Sequence, residues 1–306
     1  MITTAQTTRV AYSLVRFGSL AVPLLALLAT APLATVTPVV ATPADETSPA
    51  SNGADFAWTR GSRDGPVIVM KLGTVFVRHG DGRPVAITKP GVFAAAGGMD
   101  GRTLVVQVVR NHQSDLRLFD LRTHRFHESP PGVNTRAWEW RGSISGHRLL
   151  FGRFDGVNTY EIVLANLSTG REQILESVRG HGAYAEPGQI NRRYAVWAGC
   201  PDNFCTVYRY DVTTHRRVRV PGDYRHAAFA PSVAAGGDVY YGRGLVACGA
   251  EVKLMRYRPG ATPHIVASLL PGYDFRFTST DGRRVLFDRV SCDHGGFDVY
   301  AVKVKP

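Results

Sequence analysis

The stretch that decides the fold is "GGMDGRTLVVQVV", residues 97–109, in which an Asp-Gly corner precedes an apolar, β-branched run. Near-copies follow as "GSISGHRLLFG" at 142–152 and "TSTDGRRVLFD" at 278–288. Asp and Gly tolerate the positive φ of a tight turn, and the flanking runs are short and rich in aromatic and β-branched residues. Each copy therefore predicts a β-hairpin.

The corner returns at a nearly constant interval. The first interval is 36 residues and the others are 45 or 46, with the corner centres at Gly65, Gly101, Gly146, Arg192, Gly237 and Gly282. A second turn has the same period and reads "DLRTHR" from Asp120, "NLSTGR" from Asn166 and "DVTTHR" from Asp211. Asp and Asn at the start of a turn cap their own backbone. Each period therefore contains four short strands and no helical pattern, which is typical of a propeller blade.

The repeats predict an all-β fold, a six-bladed β-propeller of four-stranded antiparallel blades over residues 55–306. Blade one is short, and blade four carries "INRR" in place of a glycine corner. The sequence ends directly after the third predicted strand of blade six. Two ways of closing the ring remain open: a three-stranded last blade, or a fourth strand supplied by residues near 45–55.

The order of these motifs resembles the TolB-type, WD-repeat-like propellers of bacterial envelopes. An aromatic strand, an Asp-Gly-Arg corner, an apolar strand and then "DLRTHR" or "DVTTHR" carry the resemblance, which covers about residues 55–306. It implies a propeller fold and an extracytoplasmic compartment. It implies no activity, because many functions share these degenerate motifs. The helical N-terminal domain of the Tol-system protein has no room here, which argues against a role in the Tol complex.

The N-terminal segment predicts export. Arg9 and Arg16 precede an uncharged, largely apolar stretch that runs to Asp45, and "VVA" ending at Ala41 suits a signal peptidase. We expect residues 1–41 to be a signal peptide, with an uncleaved membrane anchor as the alternative. Residues 42–54 are rich in Pro, Ser, Thr and Ala and predict a flexible linker.

The chain is basic, with a formal net charge of +11. This balance favours anionic partners such as envelope polymers and acidic glycans. Because the arginines are spread along the chain, the charge is equally consistent with a role in solubility alone. No specific nucleic-acid partner and no oligomer is predicted.

Four cysteines are consistent with an oxidising compartment. Cys200 and Cys205 lie five residues apart across a predicted hairpin loop and can reach disulfide geometry. Cys248 would then pair with Cys292 and join blade five to blade six. A zinc site built from all four thiolates is the alternative.

The most variable segments share one face of the predicted disc. They are the loops between the second and third strands and the links between blades, and loops on a rigid scaffold often carry binding sites. Arginine can grip a carboxylate or phosphate as a planar fork, while Tyr and His can stack on sugar rings. The candidate ligand-binding residues are Arg153, Arg179, His181, Tyr224, Arg225, His226, Arg289 and His294. The alternative is that they are solvated loop ends.

No catalytic signature is present. The sequence lacks HExxH, a P-loop and a dinucleotide fingerprint, and "GSISG" has Ile144 where a nucleophile would stand. The histidines lack a metal-ligand spacing, so neither a cofactor nor a metal is predicted. The sequence predicts an exported binding module that recognises a protein partner or an anionic envelope polymer. The alternative is a lyase or hydrolase acting on acidic glycans at the channel mouth, since Arg, His and Tyr suffice to neutralise a carboxylate and move a proton.

Overall fold

Six four-stranded antiparallel sheets make up the fold, which confirms the predicted six-bladed propeller. The computed structural model describes residues 34–61, 72–202, 204–222, 226–244, 251–269, 273–291 and 296–305. No helix long and apolar enough to cross a membrane is found in these ranges. The strands are β1 Val36–Val40, β2 Asp45–Ser51, β3 Asp55–Gly61, β4 Thr74–His79, β5 Val85–Ala86, β6 Phe93–Asp100, β7 Thr103–Arg110, β8 Gln113–Asp120, β9 Arg125–Glu128, β10 Trp138–Ser145, β11 Arg148–Phe154, β12 Thr159–Asn166, β13 Glu172–Arg179, β14 Tyr184–Ile190, β15 Tyr194–Cys200, β16 Thr206–Asp211, β17 Arg216–Arg219, β18 Ala227–Val233, β19 Val239–Gly244, β20 Lys253–Tyr257, β21 His264–Ser268, β22 Tyr273–Thr280, β23 Arg284–Ser291 and β24 Phe297–Lys303.

The hydrophobic core lies between neighbouring blades. Val105 and Leu116 of blade two, for example, belong to one buried cluster with Leu149, Phe151 and Val163 of blade three. Each sheet is covered on both faces, so its middle strands carry nearly continuous apolar runs. This explains why "TLVVQVV" and "RLLF" do not alternate with polar residues.

Neither predicted way of closing the ring is right, because the fourth strand of blade six is β1, which precedes residues 45–55. β1 pairs antiparallel with β24, with Val36 opposite Val302 and Pro38 opposite Tyr300. Blade six therefore contains four strands, in the order β1-β24-β23-β22. Val40 packs in the cluster between blades six and one, beside Trp58.

The prediction that residues 42–54 form a flexible linker is wrong. β2 is the first strand of blade one and is buried along its whole length. Strands of blades two and six pack against β2, so its small and polar residues are buried without an apolar pattern. Thr42 and Glu46 hydrogen bond to each other, and Arg60 pairs with Glu46 at 3.1 Å. Thr135, Glu139 and Arg153 repeat this arrangement in blade three, so "TPADE" and "TRAWE" are equivalent starts of blades.

Two boundaries in the N-terminal region also change. Val36–Val40 belong to the propeller although they fall inside the predicted signal segment, whose first 33 residues lie outside the described ranges. The first corner of blade one is Asn52–Gly53, with Gly53 at φ 97°, and not the predicted Gly65. Gly65 itself lies outside the described residues. With the corner at Gly53, blade one is no longer unusually short.

The predicted turn at "INRR" in blade four is confirmed as a hairpin corner. The Asn191 side chain accepts hydrogen bonds from the amides of Arg193 at 2.9 Å and Tyr194 at 2.7 Å. Side-chain capping thus replaces the glycine.

Cys200 and Cys205 form the predicted disulfide, with their Cα atoms 4.1 Å apart. The bridge closes the loop between β15 and β16. The second predicted bridge involves Cys248 and Cys292, which lie outside the described residues and stay a prediction.

Candidate functional site

The propeller has two chemically different faces. The hairpin face carries the turns between the first and second strands of each blade and between the third and fourth strands. The loop face carries the loops between the second and third strands and the links between blades.

On the hairpin face, acidic side chains are used to cap turns. Asp120 Oδ1 accepts hydrogen bonds from the amides of Arg122 and Thr123, both at 2.9 Å. Asp211 caps its turn in the same way, and so does Asp281, which accepts from the amides of the two arginines that follow it. Their side chains are between 6% and 14% exposed, so these acids contribute little to the surface.

The caps hold the carboxylates of Asp120 and Asp211 in the ionised form. The backbone hydrogen bond from Thr123 is the main cause that lowers the pKa of Asp120. Burial acts against ionisation of Asp211, but the hydrogen bond from Arg193 and two backbone amides together lower its pKa to about 2.

Basic side chains on the same face point into solvent. Each capped turn also contains one or two arginines, whose long side chains extend away from the backbone. The exposed basic residues of this face are Arg83, Arg102, Arg122, Arg125, Arg171, Arg192, Arg193, Arg216, Arg258, Arg283, Lys303 and Lys305. The turns capped by Asp120, Asp211 and Asp281 therefore present positive charge with their acids turned inward, whereas Asp81 on the same face is exposed.

Some of these arginines pair with the capping acids. Arg102 lies 3.3 Å from Asp120 and Arg193 lies 2.8 Å from Asp211, yet their side chains are 62% and 55% exposed. Such exposed pairs are weak and remain available to a ligand. Within the described ranges, no ion pair is found for Arg122, Arg125, Arg192, Arg216 or Arg283.

Among the candidate residues of the loop face, Arg153 is part of a buried network. It contacts Glu139 at 3.2 Å and both carboxylate oxygens of Glu172 at 2.9 Å, and it donates to the carbonyl of Gly132. Its side chain is 15% exposed. The geometry assigns Arg153 mainly to holding blade three together.

Arg289 is held between two aromatic rings. Its guanidinium carbon lies 4.3 Å from the ring centroid of Tyr273 and 3.9 Å from that of Tyr300, and it donates a hydrogen bond to the Tyr300 hydroxyl. Burial raises the pKa of Tyr300, and the Arg289 charge opposes that shift. This cluster places an arginine and two tyrosines together at the loop end of blade six.

The remaining candidates are dispersed or lie outside the described residues. Arg179 and His181 are exposed at the end of β13 and in the link that follows, and Arg179 donates to Asn158 at 3.2 Å. His226 is half-buried directly before β18. Tyr224, Arg225 and His294 fall outside the described ranges and stay predictions.

The loop face also exposes large apolar side chains, which the sequence reasoning did not single out. Phe93 and Trp138 stand at the start of the first strands of blades two and three and are 62% and 44% exposed. Val157 and Phe204, in loops between second and third strands, are 78% and 53% exposed. Exposed aromatic side chains are a feature of protein-binding surfaces.

The axis of the propeller is filled at the level of its β-bulges. Arg141 projects from the bulge of β10, forms an ion pair with Glu186 and lies 3.9 Å from the ring centroid of Phe277. The cavity lined by the bulge residues measures about 30 Å³. That volume suits about one water molecule. A ligand at the loop-face mouth would therefore rest on the disc and not pass into it.

A larger cavity of about 200 Å³ opens on the hairpin face between blades three and four. Arg148, Arg171, Tyr210 and His215 are among the residues that line it. From the sequence, the turn containing His215 was recognised as part of the blade repeat but was not predicted to be a binding site. The signal was present, because "DVTTHR" places a histidine and an arginine within one exposed turn.

Solved structures share this architecture. A putative TolB from Agrobacterium tumefaciens aligns with a TM-score of 0.56 and 14% identity over 87% of this chain and 92% of that chain. TolB from Acinetobacter baumannii gives 0.51 and 14% over 86% of this chain and 63% of its own. The β-propeller domain of the Trilobed protease from Pyrococcus furiosus gives 0.51 and 11% over 86% and 96%.

These similarities establish the fold alone, because the identities are low. The similar structures include a peptidase propeller as well as TolB proteins. No protein-family model matches the sequence, and no curated protein matches it.

Proposed function

We propose that this protein is an exported, non-catalytic binding module that holds an anionic envelope polymer on its hairpin face. The observation that supports this is the division of charge in the turns capped by Asp120, Asp211 and Asp281. The acids cap the backbone, and the adjacent arginines extend into solvent. A polymer with regularly spaced carboxylates or phosphates would meet cations on several consecutive blades.

Physical chemistry favours an extended polyanion over an isolated anion for most of this face. Each exposed arginine contributes only weakly in water, but many cations at one face raise the local potential and increase the rate of encounter. Arginine also forms bidentate hydrogen bonds with carboxylates and phosphates. Simultaneous contacts along the polymer then supply an affinity that no single contact provides.

Two further observations support the cellular setting. The Cys200–Cys205 disulfide is typical of proteins outside the reducing cytosol. The apolar N-terminal stretch remains our basis for export. A rigid propeller that carries its turns on one face is suited to binding a ligand there. The TolB proteins from bacteria have the same fold as this protein.

A binding assay with immobilised polymers tests the proposal. We expect retention on polygalacturonate and on a phosphate-rich polymer, with no retention on neutral dextran. Retention should fall steeply as salt rises from about 0.05 to 0.5 M, because exposed charges are screened over about 10 Å at about 0.1 M. Equal retention on dextran, or binding that is insensitive to salt, would rule the proposal out.

A protein partner on the loop face is the second candidate. Phe93, Trp138, Val157 and Phe204 are the observation that favours it, since each is at least 44% exposed on that face. Here binding should resist salt and be lost in a Phe93→Ser, Trp138→Ser variant. Loss of polymer retention in that same variant would instead mean that the loop face binds the polymer.

The enzymatic alternative is a lyase or hydrolase acting on acidic glycans at the loop-face mouth. The cluster of Tyr273, Arg289 and Tyr300 is the place where this is tested, because it brings a cation next to two phenols. Release of unsaturated or shortened oligosaccharides that disappears in Arg289→Ala would establish it. Intact polymer after prolonged incubation would favour binding alone.

A further inference from the structure

We infer that the cavity between blades three and four is a binding site for a small ring bearing an anionic group, such as a uronic acid or a sugar phosphate. The cavity opens on the hairpin face, and its volume of about 200 Å³ equals that of about six or seven water molecules in the liquid. This is room for one sugar ring. The inference rests on the proposed polymer-binding function for its biological meaning, and on the geometry of the cavity for its chemistry.

Two arginines supply uncompensated positive charge. Arg148 is half-buried at the start of β11, and Arg171 is exposed directly before β13. Within the described part of the chain, neither forms an ion pair. Glu172 also lines the cavity, and it shares Arg153 with Glu139, so its charge is partly compensated and the two arginines outweigh it.

A hydrogen-bonded row of polar groups forms one side of the cavity. The hydroxyl of Tyr210 lies 2.7 Å from Nδ1 of His215 and within 3.1–3.2 Å of the Gln173 side-chain amide. Tyr210 is only 5% exposed and is held by packing, whereas Gln173 and His215 are exposed and are held to it by these hydrogen bonds. It offers donors and acceptors that suit the hydroxyl groups of a sugar.

Apolar side chains complete the lining. Leu164, Ala165 and Val212 contribute carbon surface next to the charged and polar groups. Sugar rings pair a polar edge with less polar faces, so a site of mixed character fits them better than it fits a bare ion. Ligand sites commonly combine apolar walls with a few converging polar groups.

The corresponding interface between blades one and two provides a natural contrast. Phe119 stands one residue before the capping Asp120, as Tyr210 stands before Asp211. In blade three, Arg148 stands at the start of the second strand and pairs with Asn166. In blade one, the equivalent position is occupied by Asp55, which pairs with His79. The repeat therefore retains the turn and its histidine, His124, but lacks the hydroxyl and the cation. The chemistry therefore differs between these two interfaces, as expected for a site and not for a scaffold feature.

Calorimetric titration with single sugars tests the inference. The probes are glucuronate, glucose 1-phosphate and glucose. We expect at least one anionic sugar to bind at least 10-fold more tightly than glucose. Preference for glucuronate would identify a carboxylate ligand, and preference for glucose 1-phosphate a phosphate ligand. The inference would be overturned if glucose bound as tightly as the anionic sugars. It would also be overturned if no probe bound at 10-millimolar concentrations, which is about the weakest range such a titration measures.

Four variants locate the binding. Arg171→Ala and Arg148→Gln should each weaken binding of the anionic sugar at least 10-fold, and Tyr210→Phe, which copies blade two, should weaken it several-fold. Arg110→Ala removes an exposed cation of the loop face and should change affinity less than 2-fold. A loss in Arg110→Ala equal to that in Arg171→Ala would contradict the site. Thermal unfolding of each variant shows whether the blade is intact, and Arg171, being exposed, is the safest substitution.

The titration with single sugars and the polymer-binding assay can succeed or fail independently of each other. If the polymer is retained by the native protein while no single sugar binds, the cavity is not a site and the charged face still binds polymer. If single anionic sugars bind and the polymer does not, the cavity is supported and the polymer function is rejected.

Discussion

Asp288 in β23 accepts a hydrogen bond from the hydroxyl of Thr47 in β2, and this contact joins the last blade to the first. Asp288 is fully buried, and its other oxygen accepts from the amides of Arg276 at 2.9 Å and Phe277 at 2.8 Å. One carboxylate thus satisfies the bulge of its own blade and binds the neighbouring blade across the seam where the ring closes.

Replacing Asp288 with Ala should destabilise the propeller. The substitution leaves buried amides and the Thr47 hydroxyl without an acceptor, and we expect a loss of about 3 kcal/mol in the free energy of unfolding. Asp288→Asn should lose less, because the amide oxygen still accepts. Urea unfolding measures both, and a double-mutant cycle with Thr47→Val isolates the contact across the seam. An Asp288→Ala protein as stable as the native one would show that the seam does not depend on this carboxylate.

Removing β1 should weaken the same seam. A chain that begins at residue 42 lacks Val36–Val40, including the buried Val40, whereas a chain that begins at residue 34 retains them. We expect the shorter chain to lose about 3 kcal/mol and its Tm to fall by about 6–12 °C. A signal peptidase that cut after Ala41 would produce this weakened form. We therefore predict that the exported protein retains Val36, which N-terminal sequencing checks; equal Tm values for the two chains would refute the role of β1.

Removing the Cys200–Cys205 bridge should have a modest effect. The bridge closes a loop of only a few residues, so the chain-entropy model gives a loss of about 2 kcal/mol for the Cys200→Ser, Cys205→Ser variant. Thermal unfolding with and without a reductant measures it. A reductant should also lower the Tm of the native protein. If the reductant leaves the Tm of the native protein unchanged, this bridge contributes nothing to stability.

Acid should weaken the capped turns. Asp211 has a folded-state pKa of about 2, below the ordinary value of 3.8. Its contribution to stability is therefore complete above about pH 4 and is lost as the pH falls through 2. Asp211→Asn should be less stable than the native protein at pH 7, by about 1 kcal/mol given the screening at a surface turn, and the difference should vanish near pH 2. A difference that grows on acidification would contradict the assigned cause.

The corners and capped turns could be predicted from the sequence because their chemistry is local. Asp100–Gly101 and Asp281–Gly282 need positive φ at the glycine, and Asp120 and Asp211 cap the backbone that follows them. The first strand of blade one was missed because "DETSPAS" has the composition of a linker. Its burial comes from neighbouring blades, which composition does not report. The match of "TPADE" to "TRAWE" was the available signal.

The candidate site was harder to predict for a different reason. Arg179 and His181 lie at variable loops, so the sequence favoured the loop face as the binding surface. Which face presents net charge depends on where the acids point, and only the structure shows that Asp120 and Asp211 turn inward. The cavity beside Tyr210 and His215 depends on contacts between two blades. Gln173 hydrogen bonds to Tyr210, 37 residues later, and Arg148 donates to the carbonyl of Arg192, 44 residues later.

The most direct test of the account compares two matched double variants in the polygalacturonate assay. Arg192→Ala, Arg283→Ala removes two exposed cations from the hairpin face, and Arg110→Ala, Arg179→Ala removes two from the loop face. The account predicts at least a 10-fold loss of affinity for the first and a change within 2-fold for the second, with unfolding curves unchanged in both. Equal losses, or a larger loss from the loop-face variant, would contradict the claim that the hairpin face binds the polymer.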